Sequence, residues 1–370
     1  MSNSKKPLLI RCLNPFRWMD INYGGKITPC CLPWFKGDLG SIKEQTLEQI
    51  WKGAAFQELR EAMYEGGNWS KFCNANICPQ IQNDIWVNVD SITPETNDIV
   101  PITQSILDDI REGKTVMSKG PVQIGIACDP RCNLQCIMCS ARTNPNRDGV
   151  FLRKALEEIT PFLSTLKRMR LMGDGEVFAV PEMREFLFRF NSEKYPDTTF
   201  AFITNGILLT SELWGKISHL KVDCIIVSID AATKKTYKKI RVGGKWEVLM
   251  KNLEFIVNKY KEGVIRELYI CMCVMKSNHK EMIQFAEMGK RLGVTSTYFT
   301  PILGDYDEEQ IFERKNIKCL KRVAKQLHHP IMKEQCVDTQ AVNIWRDWKP
   351  TFQDYLSYIM DSIKRFLVEM

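Results

Sequence analysis

From residue 121 onward, short apolar runs alternate with amphipathic stretches, and this alternation limits the folds open to the chain more than any other feature. Runs suited to strands lie at Val122–Ala127, Arg168–Met172, Thr199–Thr204, Asp223–Ile229, Leu268–Val274 and Thr297–Pro301. Between them, apolar residues recur at helical spacing over Phe151–Leu163, Glu182–Phe190, Trp246–Tyr260 and Lys280–Leu292. Such a series predicts the α/β class, with a parallel sheet and helices outside it. Six βα units in series make a partial (β/α)6 TIM-like barrel rather than the full eight. In parallel barrels the chemistry sits at the C-terminal ends of the strands. The residues just past each run are therefore the first candidates for a site.

The remainder of the 370 residues reads differently, and the length suits one large domain with a smaller one beside it. Gly24 and Gly25 predict a hairpin turn between Trp18–Tyr23 and Lys26–Pro29. A helix is expected from about Thr46 to Tyr64, with Leu47, Ile50, Trp51, Leu59 and Met63 on its apolar face. The resulting organisation is a small N-terminal domain over 1–90, a connector with a short helix over 91–118, the partial barrel over 119–305 and a helical C-terminal segment over 306–370. That last segment ends in a helical pattern over Tyr355–Val368.

Nine of the fourteen cysteines fall in two clusters, five before residue 80 and four within 128–139, and the other five are scattered. No secretory signal and no apolar run of about 20 residues is present, so the expectation is a cytoplasmic protein outside the membrane. There, clustered cysteine points to metal or redox chemistry rather than to disulfides. The net charge of +7 is modest, and Lys234, Lys235, Lys238 and Lys239 fit the solvated face of one helix; no nucleic-acid partner is expected.

Directly after the first barrel strand comes Cys128-Asp-Pro-Arg-Cys132-Asn-Leu-Gln-Cys136-Ile-Met-Cys139. Thiolates bind iron–sulfur clusters well, because sulfur is soft and its charge offsets that of iron. Three ligands at C-x3-C-x2-C leave one iron of a cubane without a protein ligand. A structural zinc knuckle with Cys128 as fourth ligand is the alternative. After the second strand stands Gly173-Asp174-Gly175-Glu176, where glycines allow close backbone approach and a carboxylate can accept from an ammonium group. The third strand ends in Thr204-Asn205-Gly206, and the fourth gives Ser228-Ile-Asp230, followed by Tyr237 and Arg241. Asn205 could equally hold its loop by side-chain-to-backbone bonds.

The cysteine spacing, its place after strand one and the later strand ends resemble the radical S-adenosylmethionine (SAM) superfamily. The resemblance implies that Cys132, Cys136 and Cys139 hold a [4Fe-4S] cluster whose open iron chelates SAM. It implies that Met138 lies near the adenine and that Gly173, Asp174, Gly175 and Glu176 form the stretch binding the SAM amino group. The family has Gly-Gly-Glu there, and this chain departs from it at Asp174. Asn205, Ser228 and Arg241 would contact SAM, and Asp230 would order its loop.

The N-terminal cysteines follow C-x12-G-x4-C, with Gly25 in the hairpin, and continue to Cys73-x4-Cys78-Pro79. They resemble a SPASM/twitch-type auxiliary domain, here placed ahead of the barrel, whereas such domains usually follow it. The resemblance implies a second, auxiliary [4Fe-4S] cluster held by Cys12, Cys30, Cys73 and Cys78. Cys31 is left out because it faces the other side of the hairpin if Cys30 points inward. The same four thiolates could instead hold zinc.

The expected activity is reductive cleavage of SAM to a 5′-deoxyadenosyl radical, which takes hydrogen from a small-molecule or carbohydrate substrate in an oxidation or epimerisation. Modification of a ribosomal peptide or protein side chain is the first alternative; a non-catalytic iron–sulfur or zinc scaffold is the second. A flavodoxin- or ferredoxin-type donor would supply the electron. No catalytic acid or base stands out: Asp305, Asp307 and Glu308 fit a solvated loop. His219, His279, His328 and His329 fit surface or helix-end positions, and Cys271 and Cys273 would share one face of the fifth strand.

Overall fold

The structure, a computed structural model, describes residues 7–94, 101–139, 141, 148–172, 174–302, 309–312 and 316–351. Gly173, the acidic residues Asp305, Asp307 and Glu308, and the Tyr355–Val368 pattern lie outside those residues. By compactness the chain divides into two units. The first comprises 1–131, 144–202 and 216–221; the second comprises 132–143, 203–215 and 222–370.

In the first unit, β1 (Leu9–Ile10) pairs antiparallel with β4 (Val87–Asn88). A larger sheet is built from β2 (Trp18–Ile21), β3 (Ile27–Thr28), β5 (Gln123–Ile126), β6 (Arg168–Leu171) and β7 (Thr199–Thr204). Its order is β3-β2-β5-β6-β7, with β2–β3 the antiparallel hairpin and the other pairs parallel. The hairpin closes through a tight turn in which Gly24 and Gly25 both have positive φ. Strand residues two apart share a face. Ile124, Ile126, Met169, Leu171, Phe200 and Phe202 are therefore buried together on one side. Each such side chain stabilises the fold by roughly 1.5–3 kcal/mol through burial. The helices Val150–Glu158 and Pro181–Arg189 add buried Leu152, Ala155, Met183 and Leu187. The other face of the sheet is polar: Trp18, Gln123 and Arg168 stand in one cross-strand row, and Asp20, Gly125 and Arg170 in the next.

The helix expected over Thr46–Tyr64 is broken. Thr46 opens Leu47–Lys52 with a capping box, the chain turns extended at Gly53, and Ala54–Met63 follows. Glycine is a poor helix former, which lets the chain turn there. The turn brings the Trp51 and Phe56 rings to 5.1 Å, with the buried Arg60 guanidinium 4.2 Å from the Trp51 ring. All five residues expected on the apolar face are buried.

In the second unit, β8 (Lys221–Ser228), β9 (Glu267–Val274), β10 (Ser296–Pro301) and β11 (Val337–Asp338) run parallel in that order. Leu268, Ile270, Met272 and Val274 alternate on the buried face of β9. The helices Trp246–Lys261, Met282–Leu292 and Ile317–Leu327 supply Leu253, Ile256, Phe285, Leu320 and Val323 to the core. The C-terminal segment, expected to be helical, also holds β11, a two-residue strand too short to leave a period-two signal. The helix Lys234–Ile240 keeps its four lysines exposed, as a solvated face should. His279 departs from the surface expectation, being buried with its Nδ1 against the Lys276 carbonyl oxygen. No helix among the described residues is long and apolar enough to cross a membrane.

Candidate active site

In the second unit, the loop carrying Cys132, Cys136 and Cys139 is held by its backbone. The Gln135 N–H donates to the Val242 carbonyl at 2.9 Å and the Ile137 N–H to the Ile240 carbonyl at 3.0 Å. Met138 sits half-buried in the turn closed by the Cys139 N–H on the Cys136 carbonyl. The Cys136 sulfur accepts from Arg241 Nη1 at 3.6 Å, and Arg241 Nη2 forms an ion pair with Asp230 at 2.6 Å. The Cys132 sulfur accepts from the Leu134 N–H at 3.4 Å and from Asn205 Nδ2 at 3.8 Å. Asn205 also donates to Asn133 Oδ1 at 2.9 Å and accepts from the Ile207 N–H, so it both orders its own loop and reaches the cysteine loop. Burial raises the Cys136 thiol pKa; the Arg241 charge works against that, while Asp230 and Cys139 add to it. Ser228 lies opposite Cys271 in the β8–β9 register, and the Cys271 thiol bonds both Ser228 and Tyr298.

In the first unit, Gly175 has no room for a side chain: a Cβ there would fall 2.2 Å from the Arg131 carbonyl oxygen and 2.7 Å from that of Asp129. The Glu176 N–H donates to the Arg131 carbonyl, and the buried Glu176 carboxylate accepts from the Phe178 N–H at 3.4 Å. Burial pushes Asp174 up to about 6. The preceding loop is braced by Arg131, which binds Asp129 at 2.7 Å and Glu182 at 2.9 Å. Cys128 is buried in a small cavity with Asp129, Met172, Glu176 and Val177.

Also in the first unit, the thiols of Cys12, Cys30, Cys73 and Cys78 act on one another electrostatically: Cys12 with Cys78, Cys30 with Cys12, Cys31 and Cys73, and Cys73 with Cys12 and Cys78. Burial is the main cause that pushes Cys12 up to about 11 and Cys73 up to about 12, and Cys30 higher still. Such thiols stay protonated until a metal displaces the proton. Arg11 and Arg17 beside Cys12, and Lys36 beside Cys73, favour the charged form. Cys31, which also acts on Cys30, bonds Arg170 through its thiol and lies near Asp20.

That last group was not legible in the sequence as a site. Asp20 is 1% exposed, accepts from Trp18 Nε1 at 2.6 Å and reaches across Gly125 towards Arg170, 3.7 Å away. A Cβ at Gly125 would fall 1.8 Å from Asp20 Oδ1. The signal available was an aspartate in an otherwise apolar strand, but nothing local joins it to a glycine and an arginine more than 100 residues away.

With both cysteine sets and their neighbours placed, the family comparison is decisive. A model of the radical SAM superfamily matches residues 128–289. Residues 128–289 carry a radical SAM domain. A model of the iron-sulfur cluster-binding domain SPASM matches residues 12–79, so the auxiliary domain does precede the radical SAM domain. The fold is α/β, of the partial TIM-barrel type of this family, and the two domains imply SAM and two [4Fe-4S] clusters.

The radical SAM relatives are enzymes of different kinds. The probable GTP 3′,8-cyclase of Methanococcus maripaludis is 27% identical over 134 residues, 35% of this chain and 43% of the cyclase. Mycofactocin maturase MftC of Mycobacterium tuberculosis is 23% identical over 168 residues, 44% of this chain and 40% of the maturase. Among solved structures, SuiB of Streptococcus suis bound to precursor peptide SuiA is similar over 68% of this chain and 58% of that chain, at 13% identity and a TM-score of 0.45. The chain spans less than half the length of the curated relatives it matches.

The residues present fit the radical SAM cofactors. Among the described residues no group of three or more His, Cys, Asp and Glu is spaced for a metal ion, so the fit rests on donor chemistry. Beside Cys136, Arg241 Nε and the Tyr237 hydroxyl are buried without a hydrogen-bond partner, donors of the kind that an anionic cluster or a carboxylate takes up. Arg11 and Arg17 near Cys12, and Lys36 and Arg11 near Cys73, are cations of the kind that offset the charge of a second cluster.

Proposed function

We propose that this chain is a radical SAM enzyme in which Cys132, Cys136 and Cys139 hold the SAM-cleaving cluster and Cys12, Cys30, Cys73 and Cys78 the auxiliary one. The observation that carries the reading is the convergence of Arg241 and Asn205 on the Cys136 and Cys132 sulfurs, since a scaffold needs no cation and amide aimed at its thiols. When bound, the cofactors supply reductive cleavage of SAM and a carbon radical that takes hydrogen from substrate. The chain's own residues would bind and orient: Met138 would meet the adenine, and Asp174, Gly175 and Glu176, with Gly173, would hold the SAM amino group. Asn205, Ser228 and Arg241 take its polar groups, and Asp230 holds Arg241 in place.

The substrate reading is a small molecule or carbohydrate, oxidised or epimerised, with a flavodoxin- or ferredoxin-type protein as electron donor. A peptide or protein side chain is the competing substrate.

Iron and sulfide content after anaerobic reconstitution tests the cluster assignment. About eight irons per chain, falling to about four in a Cys132/Cys136/Cys139→Ala variant, is the expected result for two cubanes and one. Zinc without iron would overturn the enzyme reading. Release of 5′-deoxyadenosine by the reduced protein, raised by a small-molecule extract and not by a peptide fraction, supports the substrate class; the reverse pattern rejects it.

A further inference from the structure

We propose that Arg241 is a positioning residue for the Cys136 sulfur, holding a charge-assisted hydrogen bond on it, and that this contact raises the reduction potential of the SAM-cleaving cluster. The inference rests on the cluster assignment above and goes beyond it, since it gives Arg241 a task that is present before SAM binds.

The geometry is set by backbone rather than by side-chain reach. The Val242 and Ile240 carbonyls accept from Gln135 and Ile137 at 2.9 and 3.0 Å, so the residues on either side of Arg241 register the cysteine loop against the end of the helix Lys234–Ile240. Arg241 Nη1 then meets Cys136 Sγ at 3.6 Å. Its Nη2 is clamped by Asp230 at 2.6 Å, with the two side chains 11% and 1% exposed.

Asp230 is itself fixed from three directions. Its Oδ1 accepts from the Cys273 N–H at 2.7 Å, its carbonyl accepts from Asn278 Nδ2 at 2.9 Å, and its N–H donates to the Cys271 carbonyl at 3.2 Å. Its φ of 62° is in the left-handed region, which a non-glycine residue keeps only where its surroundings over-determine it. Strand β9 thus holds Asp230, Asp230 holds the guanidinium fork, and the fork holds the sulfur.

Hydrogen bonds and positive charge at a cluster sulfur favour the more negative, reduced state, and so raise the potential. Asp230 offsets part of the arginine charge, so its main effect is on orientation. The Cys132 sulfur, by contrast, accepts from the neutral Leu134 N–H and Asn205 amide. The Arg241 contact thus lies at the Cys136 corner of the motif.

The test is an EPR-monitored redox titration of the reconstituted protein without SAM, comparing wild type with Arg241→Gln and Arg241→Lys. Omitting SAM removes any effect of Arg241 on SAM binding. The expected result in Arg241→Gln is a downward shift of at least ten-fold in the reduction equilibrium, about 59 mV for a one-electron couple. Arg241→Lys, which keeps the charge and loses the fork, should fall between, and the auxiliary cluster should titrate unchanged. A fully loaded Arg241→Gln protein with the wild-type potential would overturn the proposal. So would loss of this cluster's iron in both variants with the auxiliary iron retained, which would make Arg241 a residue of cluster retention. Absence of the cluster from the wild type would instead sink the functional reading itself.

Discussion

At the scale of single residues, the row Asp20, Gly125 and Arg170 shows how side chains on neighbouring strands constrain one another. Gly125→Ala would drive a Cβ into the Asp20 carboxylate, which is packed under Trp18 with little freedom to retreat. We expect a loss of about 1–3 kcal/mol, the usual range for forcing atoms into a packed interior, read as a lower urea midpoint. An unchanged midpoint would mean that Asp20 swings away at no cost. Burial pushes Asp20 up from 3.8 to about 6, with Arg170 and the Trp18 bond opposing. A raised carboxylate pKa means that the folded state holds its proton longer than the unfolded chain does. The contribution of Asp20 is therefore full below about pH 4 and is lost as pH rises to about 6, by about 3 kcal/mol at about 1.4 kcal/mol per unit. Asp20→Asn should flatten that part of the stability–pH curve; an identical slope in the variant would remove Asp20 as its cause.

At the scale of elements, short helices and loop ends depend on caps that the sequence displays openly. The Thr46 side chain accepts from the Gln49 N–H, and the Gln49 side chain accepts from the Thr46 N–H. Thr46→Ala should lower stability by about 1 kcal/mol with little change in helix content, checked by urea unfolding followed by circular dichroism. Asn252, buried in the helix Trp246–Lys261, donates to the Gly206 and Ile207 carbonyls at 2.9 and 2.8 Å. It thereby fixes the loop that presents Asn205. Asn252→Ala leaves two acceptors short of a donor and should cost about 1–3 kcal/mol. Amide exchange should speed up first at Asn205–Ile207, and unaltered protection there would argue that the loop holds itself. The break at Gly53 was the misread element, because helical periodicity runs through both pieces and only the backbone angle at one residue separates them.

At the scale of the whole molecule, the two cysteine sets are separate pieces of chemistry on one chain, and each set should load without the other. A Cys12/Cys30/Cys73/Cys78→Ala variant should retain about four irons and still cleave SAM when reduced; loss of all iron would show that the auxiliary cysteines are needed to build the site. The αβ alternation, the C-x3-C-x2-C loop after the first barrel strand and the auxiliary cysteine spacing were all legible in the sequence. Each is a local pattern: burial on one face imposes the period, and cluster binding imposes the spacing. The parallel pairing of β2 with β5 and of β11 with β10 left no such trace, since short strands carry too few residues for a period. Nor did the seating of Asp20 against Gly125 and Arg170, or the fork of Arg241 between Asp230 and the Cys136 sulfur. The sequence by itself therefore determined the class of fold, the resemblance to the radical SAM superfamily and the sulfur ligand candidates. Only the tertiary structure decided which charges meet those sulfurs, because a buried ion pair is defined by distances between residues far apart in the chain, and no local pattern encodes those distances.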